Sequence, residues 1–410
     1  MSASIARRRK QLAAKAALAS QGGQDPITEK MNSLLIGTSI DEATAYEALQ
    51  LAQSQLRKCV KSGEFTKATV TYGYDVCLVL LQKHGKASVA SQLLALLSQV
   101  LTETHTACDA EWIVRIQTLA GAYCDAVKVV ESAVEQKRLY RLLSKFLKTV
   151  LGWSDLLGDV TLGALEIHEL IADHSWFLSE SAPDVKGNKN KSQNEEDDGG
   201  EEFTKVALQS ESVTHYALAE NPIAILEKIK NLPDPTNAET KVNHICPPSA
   251  RESLLTRAVM AFITMENIRD AHSLLTMYID QVETRDLEGL KKSYMSKTDK
   301  RSPNHIVFLS MLLSIVRKDK KTGPLYNWLL KGFSNAELVK MYKPEMLKGY
   351  TTKIGKVYFD IQPPPGMLAS LESMMGMMGG GGMGGMPGGG GGGMNPAMMQ
   401  QMAAMMGGMQ

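Results

Sequence analysis

Apolar residues recur with a helical period along most of the chain between residues 41 and 359. In the stretch ALQLAQSQLRKCV, Leu49, Leu56 and Val60 occupy i, i+7 and i+11 positions, which share one face of a helix. No stretch alternates apolar and polar residues between turn signals, so we expect few strands. The pattern predicts further helices over 66–83, 87–103, 109–134, 136–150, 161–178, 203–219, 221–230, 249–265, 267–283, 303–318, 321–341 and 344–359.

The connections between these predicted helices are short, and glycine or proline marks many of them. The motif SGEFTKAT (62–69) is echoed by GEEFTKVA (200–207), and each combines a glycine with the acidic first turn of a new helix. Helix, short turn and helix repeated along a chain is typical of an α-solenoid. The sequence therefore predicts an all-α fold, an irregular tetratricopeptide-like solenoid of helical hairpins.

Changes of composition divide the chain into five predicted parts. Residues 1–40 form a mostly disordered basic segment, and 41–181 form the N-terminal half of the helical array. The stretch APDVKGNKNKSQNEEDDGGEE is nearly free of apolar residues, which predicts a disordered insertion over 182–202. The C-terminal half of the array follows over 203–362, and 363–410 form a proline-marked exit and a tail.

The tail is dominated by two residue types, with 14 of the 23 methionines and 16 of the 34 glycines between residues 366 and 410. Glycine loses more backbone entropy on folding than any other residue, so this tract is expected to be disordered. Methionine side chains adapt to irregular apolar surfaces. The tail is therefore either low-complexity sequence or a flexible segment that makes transient apolar contacts with a client.

Charge and cysteine content exclude several classes of function. With 45 basic and 44 acidic residues, the chain has no general attraction to nucleic acid. The five scattered cysteines form no CxxC pair and fit a reducing compartment, which favours the cytosol. No apolar run reaches the length needed for stable membrane insertion.

Candidate catalytic and metal-binding motifs are weak. In HELIADH (168–174), His168 and His174 are six residues apart, whereas a helical zinc pair needs spacing of four. The glycine-rich tail follows no predicted strand, so nucleotide binding is not supported. We therefore predict no catalytic residue, no metal and no cofactor, and a protein that is not an enzyme.

The segment LYNWLLKGFSNAELVKMYKPEMLKGYTTKIGKVYFDIQPPP (325–365) resembles the C-terminal end of the Golgi-to-ER traffic protein four family. The shared features are a tyrosine–x–proline break, an isoleucine–glycine pair, a tyrosine–phenylalanine pair and a proline exit. They occur here as Tyr342, Pro344, Ile354-Gly355, Tyr358-Phe359 and Pro363. SGEFTKAT, GALEIH (163–168) and MLASLESMM (367–375) are also similar to stretches of that family.

The resemblance implies a right-handed, non-enzymatic α-solenoid in the targeting of tail-anchored membrane proteins to the ER. Its N-terminal half would contact the targeting ATPase, and its C-terminal half would bind a ubiquitin-like-domain protein through an insertion between late helices. For the ATPase, the candidate residues are Lys58, Lys61, Phe65 and Tyr72, placed at the end of one helix, the turn and the next helix. For the ubiquitin-like partner, they lie in the insertion 285–304 and are Leu290, Lys291, Lys292, Tyr294 and Met295.

Two other functions remain open at the level of sequence. One is a helical scaffold of the proteasome-lid or initiation-factor type, which would end in a winged helix and need a β-hairpin; only KVYFD (356–360) could form a strand. The other is a holdase chaperone that binds clients through the methionine-rich tail.

Overall fold

The computed structural model describes residues 25–37, 39–182, 204–232, 250–283, 287–289, 304–334 and 344–362. Within these ranges the regular structure is helical, with no β-strand. The helices in chain order are α1 (Pro26–Ile36), α2 (Glu42–Ser62), a π-helical segment (Lys67–Asp75) that continues into α3 (Val76–Gln82), α4 (Ala87–Glu103), α5 (Ala110–Lys128), α6 (Ala133–Leu157), α7 (Leu165–Glu180), α8 (Lys205–Leu218), α9 (Pro222–Lys230), α10 (Ala250–Thr264), α11 (Ile268–Gln281), α12 (Asn304–Val316), the 3₁₀ turn Lys320–Thr322, α13 (Gly323–Ser334) and α14 (Pro344–Phe359).

Local capping explains where many of these helices begin and end. The side chains of Asp41, Asp109 and Ser132 accept hydrogen bonds from the backbone of the first turns of α2, α5 and α6. At the end of α2, Gly63 adopts a left-handed φ of 78°. Its N–H donates to Val60 O, and the Glu64 N–H donates to Cys59 O, which completes a Schellman motif. The turn predicted at SGEFTKAT is therefore present.

Two hydrophobic cores follow each other along the array. The first is built from buried residues between Met31 and Ile171, and the second from residues between Ala172 and Phe359. Helix α7 supplies residues to both, since Ile171 belongs to the first core and Ala172 and Trp176 to the second. Helix α8 packs along α7, so this helix pair joins the two cores. The predicted all-α array of helical hairpins is confirmed.

Helix α1 lies within the segment 1–40 that the sequence analysis expected to be mostly disordered. It packs against α2 with Met31 and Leu35 buried, and Lys30 Nζ lies 2.6 Å from Glu47 Oε1. The expectation is therefore corrected for Pro26–Ile36. The correction has a tertiary cause, because a helix of 11 residues gains stability mainly by packing its apolar face.

The predicted helices 87–103 and 344–359 keep their bounds, and most of the others are found with shifted ends. Helix α6 spans Ala133–Leu157, longer than the predicted 136–150, and Ser132 caps its earlier start. The stretch KVYF, the only candidate strand, is the last turn of α14, so the β-hairpin of a winged helix does not begin there. The insertion 182–202, apart from its first residue, and the tail 363–410 lie outside the described residues.

Candidate protein-interaction surface

The solvent-exposed side of α2 carries a row of polar residues that lines a shallow open depression. The row has helical spacing, and three of its members are cations. Its members are Gln50, Gln53, Ser54, Arg57, Lys58 and Lys61. We call this row the α2 stripe. Two of the four predicted ATPase-contact residues, Lys58 and Lys61, belong to it.

Lys58 has a structural partner in the α2 stripe. Its ammonium group forms an ion pair with the carboxylate of Asp25, which also caps the start of α1 and accepts from Gln55 Nε2 at 3.2 Å. The hydrogen bond from Lys58 lowers the pKa of Asp25, and the Asp25 carboxylate raises the pKa of Lys58. Lys58 therefore ties α1 to α2 as well as adding charge to the stripe.

Phe65 lies just beyond the end of the α2 stripe. Gly63 turns the chain after α2, and Phe65 follows it with 43 % of its surface exposed. Lys61 is exposed on the other side of the same turn. The exposed aromatic ring and the last cation of the stripe thus lie on either side of the turn at Gly63.

Tyr72 is not part of this surface, which corrects its predicted role. Its side chain is 1 % exposed, and its hydroxyl lies 2.7 Å from Thr28 Oγ1 of α1. The π-helical segment explains the error, because hydrogen bonds to the fifth preceding residue widen the turn. Each residue then rotates by less than the 100° of an α-helix, so Tyr72 does not share the face of Phe65.

Sequence reasoning also missed two members of this site. Arg57 is exposed in the α2 stripe, and the spacing of residues 57, 58 and 61 was a readable signal for it. Asp25 was missed because its contact with Lys58 joins residues that are 33 apart in sequence.

The histidines of HELIADH belong to the junction between the cores. His168 donates from Nε2 to Leu162 O at 2.9 Å, so its Nδ1 accepts from His215 Nδ1 of α8 at 2.8 Å. His174 Nε2 donates to Tyr140 O at 3.0 Å. Burial lowers the pKa of His168 and His174, and it lowers the pKa of His215 to about 3. These neutral rings hold helices together.

A partly buried ionic contact lies beside this histidine pair. The Glu211 carboxylate of α8 accepts from Ser175 Oγ at 3.0 Å and lies 2.6 Å from Lys148 Nζ of α6. Burial opposes ionisation of Glu211, but the ammonium group of Lys148 holds its pKa below the ordinary value. Ser212 Oγ also donates to Ala172 O at 2.7 Å. We call these contacts, together with the histidine pair, the polar seam.

The described part of the chain offers little other chemistry. It contains no group of three His, Cys, Asp or Glu side chains placed to hold a metal ion. The four cysteines in these ranges have free thiols, and burial raises the pKa of Cys77 and raises that of Cys108 to about 11. A high thiol pKa disfavours the reactive thiolate.

The predicted contact for the ubiquitin-like partner cannot be placed. Leu290, Lys291, Lys292, Tyr294 and Met295 all lie outside the described residues. Among the helices that the structure describes, none combines the length and the apolar character of a transmembrane helix.

A family model matches most of this chain. The model of the family Golgi to ER traffic protein 4 matches residues 66–379. The protein GET4 of Arabidopsis thaliana is 22 % identical over 371 residues, which cover 86 % of this chain and 97 % of that protein. The crystal structure of C. therm. Get4 aligns with a TM-score of 0.48 and 16 % identity, over 89 % of this chain and 100 % of that chain. The matched region includes the whole second hydrophobic core and the first core from Ala68 onward, and the chain belongs to the Golgi to ER traffic protein 4 family, whose members are helical scaffolds in tail-anchored protein targeting.

Proposed function

We propose that this chain is a non-enzymatic, cytosolic adaptor that bridges the targeting ATPase for tail-anchored proteins and a ubiquitin-like-domain partner. The observation that carries the proposal is the family match, which runs from residue 66 to residue 379 and so covers most of both halves of the array. A continuous array with two cores provides separate surfaces for two partners. Transient contact of the methionine-rich tail with apolar clients is a further part of the proposal.

The α2 stripe and Phe65 are the proposed contact for the ATPase. Exposed cations on one helix face steer an acidic partner and set the association rate. An exposed aromatic ring at the end of the stripe supplies apolar area of the kind found at interface centres. Tyr72 is excluded from this contact by its burial.

The structure determines which charges should be reversed to test this contact. Lys58 is unsuitable, because a glutamate there would face the carboxylate of Asp25 and loosen α1. Arg57→Glu with Lys61→Glu reverses the exposed charges and leaves that ion pair in place. We expect the association rate with the ATPase to fall at least tenfold at low ionic strength, and less at high ionic strength because salt screens exposed charges.

A matched control reverses two charges on another helix. Lys137 and Lys145 are exposed on α6, eight residues apart, and Lys137→Glu with Lys145→Glu gives the same change in net charge. We expect this control to alter the association rate by less than about twofold. If both double variants slow association equally, the effect comes from net charge and the α2 stripe is not the contact.

The insertion 285–304 is the proposed contact for the ubiquitin-like partner, with Tyr294 and Met295 as anchors among cations. Truncating central interface anchors costs about 2 kcal/mol or more in binding free energy. We expect this loss for Tyr294→Ala with Met295→Ala in calorimetric titration, with an unchanged melting temperature. Normal binding by the double variant would eliminate these anchors.

The adaptor function as a whole is tested by purifying the full chain from its own cells and identifying the bound proteins by mass spectrometry. We expect both an ATPase of the tail-anchored pathway and a ubiquitin-like-domain protein. If apolar clients are recovered without either protein, the holdase function is favoured instead.

A further inference from the structure

Helix α13 exposes an apolar pair to solvent. Trp328 is 67 % exposed and Leu325 is 50 % exposed, and their i, i+3 spacing places them on one face of the helix. The other three tryptophans of the chain, Trp112, Trp153 and Trp176, are each less than 10 % exposed. A tryptophan left in water on a regular helix forgoes a large apolar burial, which indicates that something covers this face.

The chain leaves the second core next to the first turn of α13. After α14, the Ile361 N–H donates to Gly355 O at 3.0 Å, and Asp360 lies 3.1 Å from Lys320 Nζ. A Cβ atom placed on Gly323 would lie 3.6 Å from Phe359 Cβ and 3.9 Å from Ile361 Cδ1. Gln362, the last residue described, is therefore adjacent to the helix end that carries Leu325.

The sequence that follows has a complementary pattern. In MLASLESMM (367–375), the large apolar residues stand at positions 367, 368, 371, 374 and 375, which share one face of a helix, and Ala369 and Ser373 fall on the opposite face. The family match also continues past Phe359 to residue 379 and so includes this segment.

The connection is long enough for the segment to reach the apolar pair. Four residues separate Gln362 from Met367, and an extended chain of that length spans about 16 Å. Trp328 is five residues along α13 from Gly323, a rise of about 7.5 Å. The short connection also keeps the segment at high effective concentration near α13.

We propose that residues 367–375 dock in cis on the Leu325–Trp328 face of α13. The apolar stripe of the segment covers Trp328, and the glycine- and methionine-rich tail then starts from a fixed point on the second half of the array. A partner that binds this face has to displace the segment first. The inference goes beyond the proposed adaptor function and does not depend on the identity of either partner.

Acrylamide quenching of tryptophan fluorescence tests the proposal in the full chain, because the other tryptophans are buried. The test variant is Leu368→Asp with Leu371→Asp, on the apolar stripe. The matched control is Ala369→Asp with Ser373→Asp, which adds the same charge on the opposite face. We expect the quenching constant to rise at least twofold in the test variant and to stay within experimental error in the control.

Further measurements identify the quenched ring and the occupant. In a Trp328→Phe background the test variant must show no rise, since a rise there would report unfolding of the core. Equal quenching in the unaltered chain and the test variant would overturn the proposal, as would an equal rise in test and control. If Trp328 of the unaltered chain becomes more quenchable only on tenfold dilution, a second copy of the chain covers the face, and the proposal is overturned. A further variant changes the methionines of 383–409 to serine. If quenching of Trp328 rises in that variant but not in the test variant, the tail covers the face, and the proposal is overturned.

Discussion

At the scale of single residues, Gly163 shows how a short motif places the start of α7 against α6. Its φ is +104°, and an added Cβ would lie 2.6 Å from Leu151 Cδ1 and 2.9 Å from Ser154 Oγ. We expect Gly163→Ala to lower the free energy of unfolding by about 2 kcal/mol or more, from backbone strain and overpacking together. Urea denaturation followed by circular dichroism measures this loss.

Gly121 provides the control for this substitution. It lies in the interior of α5, and an added Cβ would meet no atom within 4 Å. Gly121→Ala should leave stability unchanged or raise it by about 1 kcal/mol, because alanine has the higher helix propensity. If alanine lowers the free energy of unfolding at both positions, the close approach of atoms at Gly163 is not the cause of the destabilisation there.

His215 makes stability depend on pH in a defined direction. Its folded pKa of about 3 lies below the ordinary value of 6.5, so the unfolded chain binds the proton first as pH falls. The free energy of unfolding should therefore decrease as pH falls from 6.5 toward 3. His215→Asn keeps a donor for His168 and removes one titrating ring. Between pH 6 and 4.5 the slope should drop by about 1.4 kcal/mol per pH unit in urea titrations. An unchanged slope would contradict the assignment.

Sequence reasoning judged His168 correctly as a residue without a zinc-binding partner on its own helix, but it did not find the contact of His168 with His215. The spacing of His168 and His174 argued against a zinc site, and the structure gives both rings backbone partners. His215, the partner of His168, lies 47 residues further along the chain and on another helix. No local pattern carries such a contact, because it depends on how α7 packs against α8.

At the scale of elements, helical periodicity located nearly every helix between residues 41 and 359, because each buries a regular apolar face. It failed at α1, where a basic start and a short helix hid the apolar pair Met31 and Leu35. Inside Lys67–Asp75 it located the helix but not its π-helical hydrogen bonding, which changes the rotation per residue. Because α1 was not predicted, Asp25, the partner of Lys58, was missed. Because the π-helical hydrogen bonding was not foreseen, Tyr72 was assigned to the surface although it is buried.

Helix α1 should be held to the array mainly by Met31. Met31→Ala removes a side chain that is 1 % exposed, and such truncations cost about 3 kcal/mol. The amides of α1 should then exchange with deuterium about 100-fold faster, since each 1.4 kcal/mol is a factor of ten. Asn32→Ala, on the exposed side of the same helix, should leave exchange unchanged. If the α1 amides of the Met31→Ala variant still exchange slowly, other contacts are sufficient to hold α1 to the array.

At the scale of the whole molecule, the charged stretch 182–202 separates two helices that pack together. We expect limited proteolysis to cut there and in the glycine-rich tail first, because the cores protect the helices. The two large fragments should nevertheless co-elute in size-exclusion chromatography. Helix α8 buries Val213, Tyr216 and Ala217, and the polar seam joins it to α7. Separate elution would mean that the halves are independent domains.

The affinity between these fragments should depend on the ion pair of the polar seam. Lys148 lies on α6 in the N-terminal fragment, and its partner Glu211 lies on α8 in the C-terminal fragment. Lys148→Ala leaves a partly buried carboxylate without its cation, which should weaken fragment association by about tenfold, or roughly 1.4 kcal/mol. Lys145→Ala, at an exposed position on the same helix, is the matched control and should have no effect. Calorimetric titration of one purified fragment into the other measures both. If the two variants bind alike, Lys148 does not stabilise the junction, and the histidine pair and apolar contacts must hold the halves together.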